Sequence, residues 1–193
     1  PRALSAGIWR PVTLRSRPLE RLEEVYLQTL EAAPGRATAQ LGLYFKARTA
    51  GDSRAVYELA LTGVCGTARF EQRRRLMFDV GQLSVEVADP QLWWPAGRGP
   101  QNLYDVTVQL LKDGVELDRM SLRHGIRTVA LERTSITGPN GEGEFCFVCN
   151  GERLFVKGSN WVPVDAFHSR DRQRIPQIVA LAEELGINMF RCW

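Results

Sequence analysis

The sequence predicts a mainly β protein in which an immunoglobulin-like β-sandwich is followed by a single strand–helix–strand unit. Three observations predict this order. Apolar and polar residues alternate in short runs from about residue 20 to 132, turn signals separate those runs, and a helical period appears only near the end of the chain. At 193 residues the chain is long enough for one domain and part of a second.

The runs between residues 20 and 132 place large apolar side chains on one strand face, as the strands of a sandwich require. These side chains are Leu41, Leu43 and Phe45, then Tyr57, Leu59 and Leu61, and then Tyr104, Val106, Val108 and Leu110. Turns are predicted at "TAGDSR", "LTGVCG", "WWPAGRGPQN" and "LKDGVEL", and Asp113-Gly114 in the last predicts a hairpin. The Cys…Trp…Cys spacing of antibody domains is missing, so the predicted likeness is one of architecture.

After "TSITGPNGEGE" the pattern changes. A hairpin with Asn150-Gly151 at its turn leads to a strand ending in "SNW", and "GINMFRCW" predicts a second strand after a helix over roughly residues 172–185. Pro176 predicts that the regular helix begins near Ile175, and Gly186 is placed to end it. The apolar stripe of the helix is Ile175, Ile178, Val179, Ala182 and Leu185. One such unit cannot bury both faces of its strands, which predicts the start of a larger α/β domain.

Composition and charge argue against several classes of partner. The net charge is +3, and 25 basic residues are scattered among 22 acidic ones, so no nucleic acid is predicted. Arg73, Arg74 and Arg75 are predicted to lie on a solvated strand face. No apolar run approaches the ~20 residues that cross a bilayer, so no membrane is predicted as a partner.

The four cysteines are predicted to be packed, reduced thiols. Cys146 and Cys149 have CxxC spacing, but they lie in a predicted strand, where residues three apart point to opposite faces. A shared zinc ion or disulfide is therefore not expected. Reduced thiols and the lack of a leader at Pro1 favour the cytoplasm, although no compartment is assigned.

The candidate binding residues come from the carboxyl ends of the two predicted parallel strands, where α/β sheets and barrels bind their ligands. They are Asn160, Trp161, Arg191 and Trp193. Period two places Arg191 and Trp193 on the face opposite Phe190, where a guanidinium and an indole suit a polyhydroxylated ligand. An equally open interpretation is a core tryptophan beside an arginine that pairs with a structural carboxylate.

No catalytic residue, metal or cofactor is predicted in this chain. His124 and His168 lack metal-ligand spacing, and Glu183 and Glu184 diverge on one helix instead of forming an acid/base pair. Neither a glycine-rich phosphate loop nor a serine-nucleophile elbow occurs in the sequence.

Five motifs carry a family resemblance: "GIWRPV" (7–12), "LWWPAGRGPQNLYDVTV" (92–108), "GIRTVAL" (125–131), "FVCNGERLFVKGSNWVPVDAF" (147–167) and "GINMFRCW" (186–193). With them the chain resembles glycoside hydrolase family 2, and within it the β-mannosidases. The resemblance implies that residues 1–19 are the exit from an N-terminal jelly-roll domain and that residues 20–132 form the sandwich. Residues 133–193 would hold a linker hairpin and the first βαβ unit of a truncated (β/α)8 catalytic barrel.

The resemblance also implies a retaining exo-glycosidase that removes terminal β-D-mannosyl residues with two glutamates, both on later barrel strands beyond Trp193. The chain alone is therefore expected to be inactive. Arg191 and Trp193, and less directly Asn160 and Trp161, are expected to bind the β-linked mannoside. Trp193 favours mannose over the sugars of other family members, and His124 departs from the family, which usually has phenylalanine there.

Two alternative functions stay open. One is an immunoglobulin-like binding or adhesion module without catalysis, which the codons after Trp193 would distinguish from an enzyme. The other is a different exo-glycosidase of the same family, such as a β-galactosidase, β-glucuronidase or exo-β-glucosaminidase. Uncovered barrel surfaces also predict that the chain associates with itself.

Overall fold

The computed structural model describes residues 7–8, 11–133, 143, 145–165 and 168–192. The described strands are β1 (Arg21–Glu31), β2 (Thr38–Arg48), β3 (Tyr57–Cys65), β4 (Ala68–Arg75), β5 (Val80–Ala88), β6 (Tyr104–Lys112), β7 (Val115–His124), β8 (Val129–Arg133), β9 (Phe145–Cys149), β10 (Glu152–Leu154), β11 (Gly158–Trp161) and β12 (Met189–Cys192). Within the described residues one helix, α1 (Asp171–Glu184), lies between β11 and β12. The prediction of a mainly β protein is confirmed.

Strands β1 to β7 form two antiparallel sheets that share one hydrophobic core. The first sheet has the order β1-β2-β5, and the second has the order β4-β3-β6-β7. In constant immunoglobulin domains the fourth strand belongs to the first sheet. Here β4 pairs with β3 instead, so that a three-stranded sheet faces a four-stranded one.

The apolar faces predicted from the alternation form the core of this sandwich. Leu41 and Leu43 on β2, Leu59 on β3, and Val108 and Leu110 on β6 are each at most 1% exposed. Burial of one such side chain contributes roughly 1.5–3 kcal/mol, so these strands are held mainly by their shared inner faces.

The arginine run at residues 73–75 lies on the exposed end of β4, as predicted. Arg73 forms an ion pair with Glu58 on the neighbouring strand β3. Because β4 is an edge strand, charged side chains there also disfavour pairing with a further strand.

Tyr104 fixes the loop that joins the two sheets between β5 and β6. Its ring is fully buried at the start of β6 and packs 5.6 Å from the Phe70 ring. Its hydroxyl accepts a hydrogen bond of 2.9 Å from the backbone N–H of Gln91, thirteen residues upstream. This is the arrangement of the tyrosine corner found at the same strand of immunoglobulin-like sandwiches.

The two predicted hairpin turns are confirmed. Asp113 and Gly114 have φ of 51° and 82°, and Asn150 and Gly151 have φ of 52° and 83°, as a two-residue type I′ turn requires.

The turn predicted at "LTGVCG" is wrong over most of its length. Residues 61–65 continue β3, and the chain turns at Gly66 instead. Gly63 lies on the inner face directly opposite Phe70, whose ring would overlap a Cβ at this position. The glycine is therefore needed for close packing and not for a turn.

After the sandwich, the chain forms two small sheets. β10, β9 and β8 make an antiparallel sheet, and β11 pairs with β12 in parallel, with α1 in the connection between them. The helix begins at Asp171, one turn earlier than Pro176 had predicted. Pro176 therefore lies inside the helix, where it has no N–H to donate to the Arg172 carbonyl.

The end of α1 at Gly186 is confirmed. Gly186 has a φ of 65°, its N–H donates to the Glu183 carbonyl, and the Ile187 N–H donates to the Ala182 carbonyl at 2.8 Å, which together form a Schellman motif. The predicted apolar stripe is largely open to solvent: Ile178 is 37% exposed and Leu185 is 65% exposed, whereas Ala182 is buried.

Candidate functional site

The parallel pair β11–β12 brings two of the predicted site residues together. The register places Asn160 opposite Arg191, so both side chains lie on the same face of the pair. Arg191 Nη1 donates a hydrogen bond to Asn160 Oδ1 over 3.4 Å, at the long end of the usual range, and both side chains are exposed. A guanidinium and an amide at neighbouring strand ends offer several fixed donors and an acceptor to a polyhydroxylated ligand.

Trp161 lies on the opposite face of the same two strands. Its ring meets the Phe190 ring edge to face, with centroids 5.4 Å apart and planes at 75°. Both aromatic rings line a groove of about 390 Å3 between the strands and α1, together with Ile178, Leu181 and Ala182. The geometry of Trp161 therefore favours packing under the helix, and its contact with a ligand stays a prediction.

Trp193 lies outside the described residues, so the predicted pairing of its indole with Arg191 stays a prediction as well. Alternation along β12 predicted that Phe190 and Arg191 lie on opposite faces, and in the structure Phe190 lies on the side of α1 and Arg191 on the other side. Alternation along β11 likewise separates Trp161 from Asn160. The register of β11 against β12, which the sequence did not predict, groups Asn160 with Arg191 and Trp161 with Phe190.

Asn188 and Gly158 set this register. The Asn188 side chain accepts a hydrogen bond from the Lys157 N–H at 2.9 Å and donates one to the Phe155 carbonyl at 3.0 Å. A Cβ on Gly158 would lie 2.9 Å from the Met189 carbonyl oxygen, so only glycine allows the two strands this close approach.

The loop from β11 to α1 is fastened to the start of the helix. Arg174 Nη1 donates to the Val164 carbonyl at 3.2 Å, and His168 Nδ1 lies 2.8 Å from an Asp171 carboxylate oxygen. The described residues contain no cluster of three His, Cys, Asp or Glu side chains suited to a metal ion. No helix in the described part of the chain is long and apolar enough to cross a membrane.

The motifs "LWWP" and "GIRTV" meet at the end of the sandwich, away from the strand ends. The Trp93 N–H donates to the Ile126 carbonyl at 2.9 Å, and the Arg127 guanidinium lies over the Trp93 ring at 4.5 Å from its centroid. Such a cation–π contact contributes about 0.5–1 kcal/mol at an exposed position. These motifs therefore build a structural junction in this chain.

Sequence reasoning assigned Asn150 only a turn, and it missed what the side chain does. Asn150 is 1% exposed; its Oδ1 accepts from the Thr128 N–H at 3.0 Å and its Nδ2 donates to the Trp93 carbonyl at 3.0 Å. The one available signal was the choice of Asn in place of Asp before glycine, because only Asn has a side-chain donor.

His124 lies where the family resemblance implied phenylalanine. It lies at the end of β7, half-buried, with Nε2 3.0 Å from the Thr29 hydroxyl oxygen. Burial, and secondarily the nearby Arg127 cation, lower the pKa of His124 from 6.5 to about 4. The imidazole is therefore neutral at pH 7 and belongs to the packing of the sandwich edge.

The family model described as "Glycosyl hydrolases family 2" matches residues 21–127, which is more than half of the chain. The chain belongs to glycosyl hydrolase family 2. The resemblance recognised in the motifs is thereby confirmed, and the matched span coincides with the sandwich and its junction.

Curated relatives of this family 2 chain include β-mannosidases. Beta-mannosidase B of Aspergillus fumigatus is 33% identical over 168 residues, covering 86% of this chain and 19% of that protein. Beta-mannosidase B of Thermothelomyces thermophilus is 31% identical over 200 residues, covering 100% of this chain and 22% of that protein. The chain thus spans about a fifth of the length of these relatives.

Two solved structures have a fold similar to that of this chain. The β-D-mannosidase from Dictyoglomus thermophilum matches with a TM-score of 0.71 and 26% identity, covering 93% of this chain and 22% of that one. The exo-chitosanase from Amycolatopsis orientalis matches with a TM-score of 0.67 at 21% identity, covering 90% of this chain and 20% of that one, a likeness that shows the fold alone.

Proposed function

We propose that this chain is part of a retaining exo-β-mannosidase that cleaves terminal non-reducing β-D-mannosyl residues. The observation that carries the proposal is the Asn160–Arg191 pair at the carboxyl ends of two parallel strands, on the face away from α1. This is where a (β/α)8 barrel binds its substrate. The β-mannosidases among the relatives support mannose as the sugar.

In this proposal residues 133–193 are the linker hairpin and the first βαβ unit of the catalytic barrel, and residues 1–19 lead out of a preceding domain. The coverage of about a fifth of the relatives supports this division. The exposed apolar stripe of α1 also fits a helix whose neighbouring strands and helices belong to a longer chain.

The chemistry of the proposed reaction requires two carboxyl groups about 5–5.5 Å apart, one as nucleophile and one as acid/base. The family resemblance assigns both to strands that follow Trp193. Arg191 and Asn160 would hold the sugar hydroxyls with fixed hydrogen bonds while those glutamates act. Trp193 would offer its indole face to the C–H face of the sugar. The 193-residue chain alone is then inactive.

The proposal is tested by assaying the longer protein and this chain side by side on aryl β-D-mannoside, β-D-galactoside, β-D-glucuronide and β-D-glucosaminide. We expect turnover of the mannoside by the longer protein and none by the chain. Turnover by the chain alone, or preference of the longer protein for another glycoside, would overturn the proposal. A gene that ends near Trp193, or continues into further sandwiches, would favour a binding module.

The role of the Asn160–Arg191 pair has its own test in the longer protein. Arg191→Lys keeps the charge but loses the planar fork, so we expect kcat/KM on the mannoside to fall about 10- to 100-fold, the equivalent of roughly one or two lost charge-assisted hydrogen bonds. Arg119→Lys is the control, because Arg119 is an exposed arginine on β7 that pairs with Glu116. Equal effects of the two substitutions would contradict the assigned role.

We also propose that the chain, when produced alone, associates with itself through the exposed stripe of α1. Ile178 and Leu185 on this stripe would be covered by the same surface of a second copy. Light scattering over a hundredfold concentration range should show a mass that rises with concentration. A constant monomer mass would contradict the expectation.

A further inference from the structure

Among the described residues, Asn150 is the one buried polar residue, and both ends of its side-chain amide are hydrogen-bonded. A type I′ turn requires a positive φ at this position, which Asn, Asp and Gly all tolerate. The turn alone therefore does not explain why the side chain is an amide. The two bonds to Thr128 and Trp93 reach two separate segments of the sandwich end.

Asp113 provides an internal comparison because it occupies the same position in the other type I′ hairpin. Its φ is 51°, its N–H donates to the Val56 carbonyl at 2.9 Å, and its Oδ1 accepts from the Val56 N–H at 2.9 Å. Asn150 repeats both bonds with Thr128, at 2.9 Å and 3.0 Å. The bond from Asn150 Nδ2 to the Trp93 carbonyl is the addition, and an aspartate could not make it.

Trp93 is a firm anchor for this additional bond. Its backbone is paired with Ile126, the Arg127 guanidinium lies over its ring, and a Cβ on Gly125 would lie 2.9 Å from its Cβ and Cγ atoms. The Asn150 amide thus joins the β9–β10 hairpin to a part of the sandwich that is itself held on several sides.

A second asparagine continues the connection from the hairpin to the strand-end pair. Asn188 lies just before β12, and its amide bonds the backbone of Phe155 and Lys157, which join β10 to β11. Asn150 extends the β8–β9 pairing by one residue at Thr128 and adds the bond to Trp93, and Asn188 extends the β11–β12 pairing into the segment between β10 and β11. The chain of contacts runs from Trp93 through Asn150, the hairpin and Asn188 to the Asn160–Arg191 pair.

We propose that Asn150 and Asn188 are positioning residues that hold the Asn160–Arg191 pair in one orientation relative to the sandwich. Neither asparagine reaches the pair itself, so they act through the backbone of β10, β11 and β12. The positioning proposal rests on the proposed function only in its prediction of a raised KM. The hydrogen-bonded connection between the sandwich and the strand ends follows from the contacts alone.

The first test measures amide hydrogen exchange in the longest natural protein that contains the chain. Asn150→Gly keeps the positive φ and removes both side-chain bonds, whereas Asp113→Gly keeps the positive φ and removes the one side-chain bond of the other hairpin. We expect Asn150→Gly to raise exchange rates at least tenfold across residues 145–161, and Asp113→Gly to leave that segment unchanged. Unchanged exchange at 145–161 in the Asn150 variant would overturn the proposal.

The second test compares kinetic constants with thermal stability in the same protein. Asn150→Asp and Asn188→Asp keep an acceptor and lose the donor, so we expect KM for an aryl β-mannoside to rise about tenfold. Asp113→Gly should lower Tm with KM unchanged. If the asparagine variants lower Tm but keep KM within twofold of wild type, their role is structural only and the positioning proposal fails. Where an aspartate variant does not fold, the KM and Tm of the Asn150→Gly variant decide between the two roles.

The two proposals fail in distinguishable ways. A wild-type protein without β-mannosidase activity contradicts the proposed function, and the exchange experiment still decides whether the asparagines fix the strand ends. An active wild type with unchanged exchange and KM in the variants contradicts the positioning role and leaves the proposed function standing.

Discussion

Protonation of His124 should destabilise the sandwich below neutral pH. The imidazole is half-buried at the end of β7, between the Thr29 hydroxyl and the Arg127 cation, and its pKa is lowered from 6.5 to about 4. The folded protein therefore binds a proton at this site more weakly than the unfolded chain does. In the interval between the two pKa values, the unfolded chain carries a proton that the folded protein does not.

The sign and size of the effect follow from this difference. The stabilisation is fully present above about pH 6.5 and is lost as the pH falls toward 4. A pKa difference of 6.5 − 4 = 2.5 corresponds to an upper limit of about 3.4 kcal/mol at 1.36 kcal/mol for each pKa unit. Because His124 is only partly buried, solvent screening reduces this to about 1–2 kcal/mol.

The assay compares the free energy of unfolding at pH 7.5 and pH 4.5 in wild type, His124→Gln and His124→Phe. The glutamine variant keeps a hydrogen-bonding group near Thr29 without titrating, and the phenylalanine variant has the residue that the family resemblance implied. We expect wild type to lose about 1–2 kcal/mol more than either variant over this interval, since the carboxylates common to all three cancel. Parallel pH profiles, or an imidazole that titrates near 6.5 by NMR, would refute the reasoning.

Two further substitutions test the packing of the sandwich. Gly63→Ala should destabilise it by about 1–3 kcal/mol, since the added methyl overlaps the buried Phe70 ring. Chemical denaturation should show little change for Gly42→Ala, whose Cβ would meet the flexible ends of the exposed side chains of Gln82 and Leu30. Tyr104→Phe should lower the free energy of unfolding by about 1–2 kcal/mol, because it leaves the Gln91 N–H without its acceptor. A Tm within 1 °C of wild type, which corresponds to roughly a quarter of a kcal/mol, would contradict the stabilising role of this tyrosine corner.

The strands and the two hairpins could be predicted because their signals are local. Alternation assigns each side chain to a face, and Asp-Gly or Asn-Gly supplies the positive φ of a type I′ turn. Gly63 could not be assigned in this way. A glycine in a turn and a glycine that admits an aromatic ring look alike in sequence, and the difference lies in Phe70 on the neighbouring strand.

The candidate site was predictable only within each strand. Alternation along β12 put Arg191 and Phe190 on opposite faces, and the structure has them so. The grouping of Asn160 with Arg191, and of Trp161 with Phe190, depends on how β11 lies against β12. That register comes from Asn188 and from the missing side chain of Gly158, and neither leaves a periodic signal.

Tryptophans in the family motifs have packing contacts in this chain. Trp93 and Trp161 both come from motifs that identify the family, yet one packs against Arg127 and the other against Phe190. Both uses need a large flat ring, so a requirement for tryptophan arises from packing as readily as from sugar binding. In the proposed function the sugar subsite lies on the strand face directed away from the covering helix, and Arg191 and Asn160 lie on that face.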